Sequence, residues 1–231
     1  MRKLLAALFI GALVLVGCRA SDATQPDMSG IVSSVARTPQ IDSIQSDTIH
    51  LTVDDVELSV YRPAAWQSYA TDYGIVLAET LGSVATDGQL GGLLAHIFVP
   101  PLSDLDNVLV TETQNPAWAI LSEIIRQPEY VGSALVSEPV PFTWSGHSAA
   151  YYLVDNEEGS LTIVIGITPA NSARLVACSI SAPVDQAGRI RESLADLLDN
   201  LRINGVALNG SELEAALPPV LDFPRRQPTS E

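Results

Sequence analysis

Lysine is almost absent from this chain of 231 residues: Lys3 is the only one, and Lys and Arg together number 12 against 27 Asp and Glu, a formal charge of −15. A nucleic-acid partner needs a basic face to neutralise phosphates, so DNA and RNA are set aside as partners. The same balance sets aside electrostatic binding to anionic lipid. Cysteine is limited to Cys18 and Cys178, so the chain can close at most one disulfide within itself. The three histidines, His50, His96 and His147, are scattered, and no pair has the spacing of metal ligands. No metal and no cofactor is therefore expected. The apolar stretch at residues 4–16 has 13 residues, short of the roughly 20 a spanning helix needs.

That stretch follows Met1-Arg2-Lys3 and ends in Leu15-Val16-Gly17-Cys18. A positive start, a short apolar run and small residues before a cleavage point have the order of a secretory signal peptide. The final four residues resemble the bacterial lipobox, Leu-x-Gly/Ala-Cys. The resemblance implies cleavage before Cys18 and a diacylglycerol on its sulfur. It usually implies an amide-linked acyl chain such as palmitate as well. The domain would then sit outside the cytoplasm, anchored to the cell-envelope membrane. One acyl chain holds only marginally, whereas two or more anchor stably. An uncleaved anchor and a plain secreted form are the alternatives. Lipoprotein processing takes Arg2 and Lys3 away and leaves a lysine-free, more acidic chain, which favours a soluble, monomeric domain. It also consumes Cys18. Cys178 then has no partner within the chain and shares a strand face with Val176 and Ile180, as a core residue would.

Four segments follow: a signal peptide over 1–17, a lipidated Cys and flexible tether over 18–46, a folded domain over 47–208, and a short helix with a Pro-rich tail over 209–231. The tether is dominated by Ser, Asp, Thr, Gln, Pro and Gly and spans on the order of 25–30 Å. The domain opens with Ile49, Leu51 and Val53 alternating with polar residues, then Asp54-Asp55, then Val56, Leu58 and Val60 alternating again, a hairpin pattern. Residues 73–80 and 93–99 read as two more strands. Asn115 and Pro116 start a helix whose apolar stripe is Ala117, Ile120, Leu121, Ile124 and Ile125, ended by Pro128. Residues 134–144, 147–154, 161–168 and 174–181 read as strands of an antiparallel meander, joined by turns too short for a parallel crossover. A last helix over 184–201 carries Ile190, Leu194, Leu197, Leu198 and Leu201, with Asn204-Gly205 as its stop. Strand runs with a middle and a terminal helix define a single α+β domain, and there is no internal repeat.

Several of these features together resemble the PsbP-like family, which includes bacterial lipoproteins. They are the opening hairpin running into Pro63-Ala64-Ala65-Trp66, then Tyr73-Gly74-Ile75-Val76-Leu77. Trp144-Ser145-Gly146 with Ala149-Ala150 follows, and the closing helix ends in Leu201-Arg202-Ile203. The resemblance covers residues 48–205 and implies an α/β/α sandwich, a central antiparallel sheet with helices on both faces. It also implies a non-catalytic accessory or binding role, with no catalytic residues to carry over. Residues 104–114 and the tail after Leu208 depart from it.

Gly146-His147-Ser148-Ala149-Ala150 has the look of a nucleophile elbow, the basis for a hydrolase. That motif needs a strand, a turn and then a helix, and a His after the Ser. Here Ser148 leads into strand-like residues and His147 is the last histidine. Asp104-Leu105-Asp106-Asn107 and Asp155-Asn156-Glu157-Glu158-Gly159 have the composition of solvated turns and lack the twelve-residue calcium pattern. Trp66, Trp118 and Trp144 are the candidate partner or ligand contacts, with core packing as their ordinary alternative. The expectation is a lipid-anchored, non-catalytic accessory or assembly domain that binds an unknown protein partner. The alternative is a small-molecule-binding lipoprotein with a cleft between sheet and helices.

Overall fold

The computed structural model describes residues 48–80, 90–101, 105, 114–157, 159–169 and 174–225. The segments expected as signal peptide (1–17) and as lipidated Cys18 with its tether (18–46), and Asp104, Asp106, Asn107 and Glu158 of the expected acidic turns, lie outside these residues.

In chain order the first strands are β1 (Thr48–Val53), β2 (Val56–Tyr61), β3 (Gln67–Ala70), β4 (Gly74–Ala78) and β5 (Leu94–Phe98). Helix α1 (Pro116–Arg126) and the single turn α2 (Pro128–Val131) follow. Then come β6 (Leu135–Val136), β7 (Val140–Trp144), β8 (His147–Asp155), β9 (Ser160–Thr168) and β10 (Val176–Pro183). The chain continues through α3 (Ala187–Leu198), β11 (Arg202–Ile203), β12 (Val206–Ala207) and α4 (Gly210–Ala216).

The alternation at the start builds the expected hairpin, with Val53 opposite Val56 and Asp54 at φ 52° in the turn. Ile49, Val53, Val56, Leu58 and Val60 are buried, while His50, Thr52, Glu57 and Tyr61 are exposed. The hairpin joins a separate four-stranded sheet, in the order β1-β2-β11-β12. This corrects the reading of the last helix. Helix α3 ends at Leu198, and Asn204 (φ 51°) and Gly205 (φ 78°) form the two-residue turn between β11 and β12. Asn-Gly accepts the positive φ at both positions that such hairpin turns require. The Asn204 Oδ1 accepts the Glu57 N–H at 2.8 Å, and the Asn204 N–H reaches the Glu57 oxygen at 2.9 Å.

The central sheet runs β3-β4-β5-β10-β9-β8-β6, with β7 also on β8, and its pairings are antiparallel. The meander from β7 to β10 is as the sequence predicts. Residues 134–144 are not one strand, however. Ser137 donates its N–H to the Leu153 oxygen at 2.9 Å, and its hydroxyl accepts the Leu153 N–H at 2.9 Å. The hydroxyl replaces a backbone carbonyl where the strand breaks, just before Pro139, which has no N–H to give. The short strand β3 has no apolar alternation to announce it.

Helices cover both faces of this sheet. On one side Ile120, Leu121 and Ile124 of α1 pack with Phe98, Ala150, Tyr152, Val154, Val164 and Ala177. Leu121 seats directly over Gly166, where a Cβ would lie 3.0 Å from its side chain. On the other side Ile190, Leu194, Leu197 and Leu198 of α3 meet Ile75, Leu77, Ile97, Ile163, Ile165, Ile167, Cys178 and Ile180, and the small sheet closes the same core. The α+β class, with helices flanking a central antiparallel sheet, is thus what the residues build. The packed unit does not stop at Leu208. Leu213, Leu217, Leu221 and Phe223 are buried in the same cluster, and Arg191 donates from Nε to the Pro218 oxygen at 3.0 Å. The stretch expected as a Pro-rich tail is a strap on the core as far as Phe223.

Candidate functional site

The three tryptophans divide between the two sides of the sheet. Trp66 ends a bend in which its N–H reaches the Pro63 oxygen at 3.1 Å. It is half-buried against the α3-side core. Trp144 lies on that same side and is 0% exposed, so it has no surface to offer a partner; the expectation for it is corrected to core. Its ring tilts against Phe142, with centroids 6.4 Å apart. Trp118 belongs to α1 on the opposite side and is 37% exposed. Asn115 places it: the Asn115 Oδ1 accepts the Trp118 N–H at 2.9 Å, and the Asn115 amide donates to Phe142 O at 3.1 Å and Ala149 O at 2.9 Å. The Trp118 indole N–H then donates to Pro139 O at 3.2 Å. Of the three, Trp118 presents the most open aromatic surface, with exposed Val140 next to its acceptor.

More exposed aromatic surface lies where the sequence reading did not look. Tyr61, Tyr69 and Tyr73 are 40%, 42% and 41% exposed, at the end of β2, on β3 and in the β3–β4 turn. Parity could have found Tyr61: with Val56, Leu58 and Val60 inward, the residue after Val60 faces out with Glu57 and Ser59.

The elbow-like segment does not have its required context. His147 opens β8 after a Ser145-Gly146 turn with φ of 47° and 79°, and Ser148 continues the strand. Alternation puts them on opposite faces, Ser148 with Ala150 and Tyr152 toward α1, His147 with Ala149 and Tyr151 toward the other core. A nucleophile and base so divided cannot share a proton. Cys178 is wholly inside, and burial pushes its thiol up to about 12. Among the described residues, no three His, Cys, Asp or Glu side chains gather as a metal site.

One buried polar group stands apart. His96 sits at 8% exposure on the α1-facing side of β5, between Val76 of β4 and Ser179 of β10 in register. Its ring stacks on Phe98 with centroids 4.4 Å apart, and neither ring nitrogen has a hydrogen-bond partner among the described residues. Burial without a counter-charge lowers its pKa to about 4, so it is neutral at pH 7. The hydroxyls of Tyr152 and Thr168, from the same sheet face, and of Ser122 on α1 also lack partners among the described residues. The opposite face is lined chiefly by Ile, Leu, Val and Ala, with Trp144, Tyr151 and Cys178 among them and His147 at the start of β8. At the rim, Arg189 and Glu79 form a two-pronged pair, with Arg189 Nη1 to Glu79 Oε2 at 3.1 Å. That hydrogen bond holds the Glu79 carboxyl below its usual range.

The site's geometry thus defines an α+β domain with exposed aromatic surface and with its elbow-like residues divided between two faces. No protein-family model matches the chain, and no curated protein matches it. Solved structures that match include the 1.9 Å crystal structure of the Saccharomyces cerevisiae Ran-binding protein Mog1p. It shares 10% sequence identity over 59% of this chain and 77% of that one, with a TM-score of 0.35. At that level, what Mog1p binds does not carry over to this chain.

Proposed function

We propose that this chain is a lipid-anchored, extracytoplasmic accessory domain that binds a protein partner and catalyses nothing itself, with a PsbP-like fold. The observation that carries the reading is Leu15-Val16-Gly17-Cys18 behind the apolar run at 4–16. Cys18 is the lipid attachment point, and residues 19–46 are the tether that lifts the domain off the membrane. The exposed rings of Tyr61, Tyr69, Tyr73 and Trp118 support a docking role, since aromatics are enriched where proteins meet. The lysine-free acidic surface favours a basic protein partner over nucleic acid.

The experiment is capture of the full-length protein from its own membranes, beside Cys18→Ala. The reading expects a partner with the intact chain and its loss with the variant. Equal capture by both removes the anchor from the account, and empty capture by both removes the partner.

A second reading, a small-molecule-binding lipoprotein, draws on the polar groups of His96, Tyr152, Thr168 and Ser122 on the α1 side. Native mass spectrometry of protein taken from its own cells tests it. A co-purifying non-polymer mass supports it, and the bare chain mass counts against it.

A further inference from the structure

We propose that a partner docks on the outer edge of β3 as an extended, basic segment, adding one more antiparallel strand to the central sheet. The inference rests on the partner-binding reading and says where and how that partner sits.

The edge is open by register. Thr71 donates its N–H to Gly74 O at 2.8 Å, and the ladder continues through Tyr69 opposite Val76 and Gln67 opposite Ala78. Hydrogen-bonded pairs alternate along an antiparallel ladder. Gln67, Tyr69 and Thr71 therefore turn their backbone groups toward β4, and Ser68 and Ala70 turn theirs away. Those four outward groups, two N–H and two C=O, bond to nothing among the described residues. They have the spacing a further strand needs.

The two ends of the sheet are treated differently. Exposed edges are usually guarded by proline, charge or a bulge. On β7 the turn-closing pair Trp144–His147 sets the parity, so Pro141 and Thr143 face outward, and Pro141 has no N–H to offer. Strand β3 reads Gln-Ser-Tyr-Ala, with no proline, no charge and two small residues at the outward positions. Tyr69 is on the strand, with Tyr73 in the turn after it and Tyr61 shortly before it.

Charge selects the occupant. A second copy would bring another strongly acidic chain, more acidic once Arg2 and Lys3 are removed, to an edge four residues long. So short a pairing falls far below the roughly 1,200 Å² that a stable interface buries and cannot offset that repulsion. A basic segment gains from the same charge, and its Arg or Lys side chains can lie over the exposed ring of Tyr69 on the strand itself.

The test is amide hydrogen exchange on the full chain in detergent, with the capped hexapeptide Arg-Thr-Arg-Val-Arg-Thr and its Glu-for-Arg counterpart. The Arg peptide is expected to slow exchange at Ser68 and Ala70 at least tenfold, and the Glu peptide to leave it unchanged. Ser68→Pro and Ala70→Pro remove only the outward donors and are expected to weaken Arg-peptide binding at least tenfold. Unprotected Ser68 and Ala70 under saturating Arg peptide overturn the proposal, a result that needs no variant to fold. Protection that grows with protein concentration alone assigns the edge to a second copy and also overturns it. The same exchange measurement on a complex captured from the native membranes separates the two readings. Protection elsewhere on the domain overturns the β3 edge and leaves the partner reading standing, whereas empty capture overturns the partner reading itself.

Discussion

The indole N–H of Trp144 donates to the main-chain oxygen of Asn209 at 2.7 Å, across 65 residues of sequence. Asn209 caps α4, accepting the N–H groups of Ser211 at 2.9 Å and Glu212 at 3.2 Å on its side chain. Glu212 in turn accepts the Ser145 N–H at 2.7 Å, and the Ser145 hydroxyl accepts the Asn209 N–H at 2.9 Å. The β7–β8 turn and the start of α4 therefore hold each other. Trp144→Phe removes the donor and part of the ring volume. The expected cost is about 1–3 kcal/mol, read as a lower urea midpoint with unchanged slope. A midpoint unchanged from wild type would show that the link is not structural.

Asn115 does two jobs, and two substitutions separate them. Asn115→Asp keeps the acceptor for Trp118 N–H but loses the donors to Phe142 and Ala149. Asn115→Ala loses both and is expected to cost about 1–2 kcal/mol. The aspartate is expected to fall between alanine and wild type in thermal unfolding. Aspartate equal to wild type would assign the whole effect to the helix cap.

Acid should find His96. Its folded pKa of about 4 lies below the ordinary 6.5, so the unfolded chain takes up the proton first. The stability is complete above about pH 6.5 and falls progressively as pH drops toward 4, by an amount on the order of 3 kcal/mol. Glu79, whose pKa is also lowered, loses its own contribution as pH falls below the ordinary carboxylate value. His96→Leu is therefore expected to flatten only the upper part of the decline, in denaturation curves at pH 7, 6 and 5. Parallel wild-type and variant curves would place the titration elsewhere.

Cys178 should be inert while the domain is folded. With its thiol pushed up to about 12 and enclosed, alkylation by iodoacetamide at pH 8 is expected only in denaturant. Rapid labelling of the native protein would mean that the β9–β10 region opens.

The sequence made some of this fold readable and hid the rest for physical reasons. The first hairpin and α1 carried their full signals: strict alternation about Asp54-Asp55, and a stripe behind Asn115-Pro116. Asn204-Gly205 is equally good chemistry for a helix stop and for a hairpin turn. Only its neighbour on β2, Glu57, 147 residues earlier in the chain, decides for the turn. Strand β3 is polar and short, so alternation could not flag it. Leu221 and Phe223 sit among prolines, whose composition suggests a loose tail, and only the core reveals them as a strap. At the candidate site Trp118 was readable as a helix-edge residue. The burial of Trp144 and His96 was not, because it depends on which sheet face each strand turns inward.

Lipid anchoring at Cys18 is tested by the mass of the mature N terminus from protein purified out of its own membranes. The account predicts a chain beginning at Cys18 with the added mass of a diacylglyceryl group, with or without a further acyl chain. A chain that keeps residues 1–17, or that begins at an unmodified residue, would contradict it.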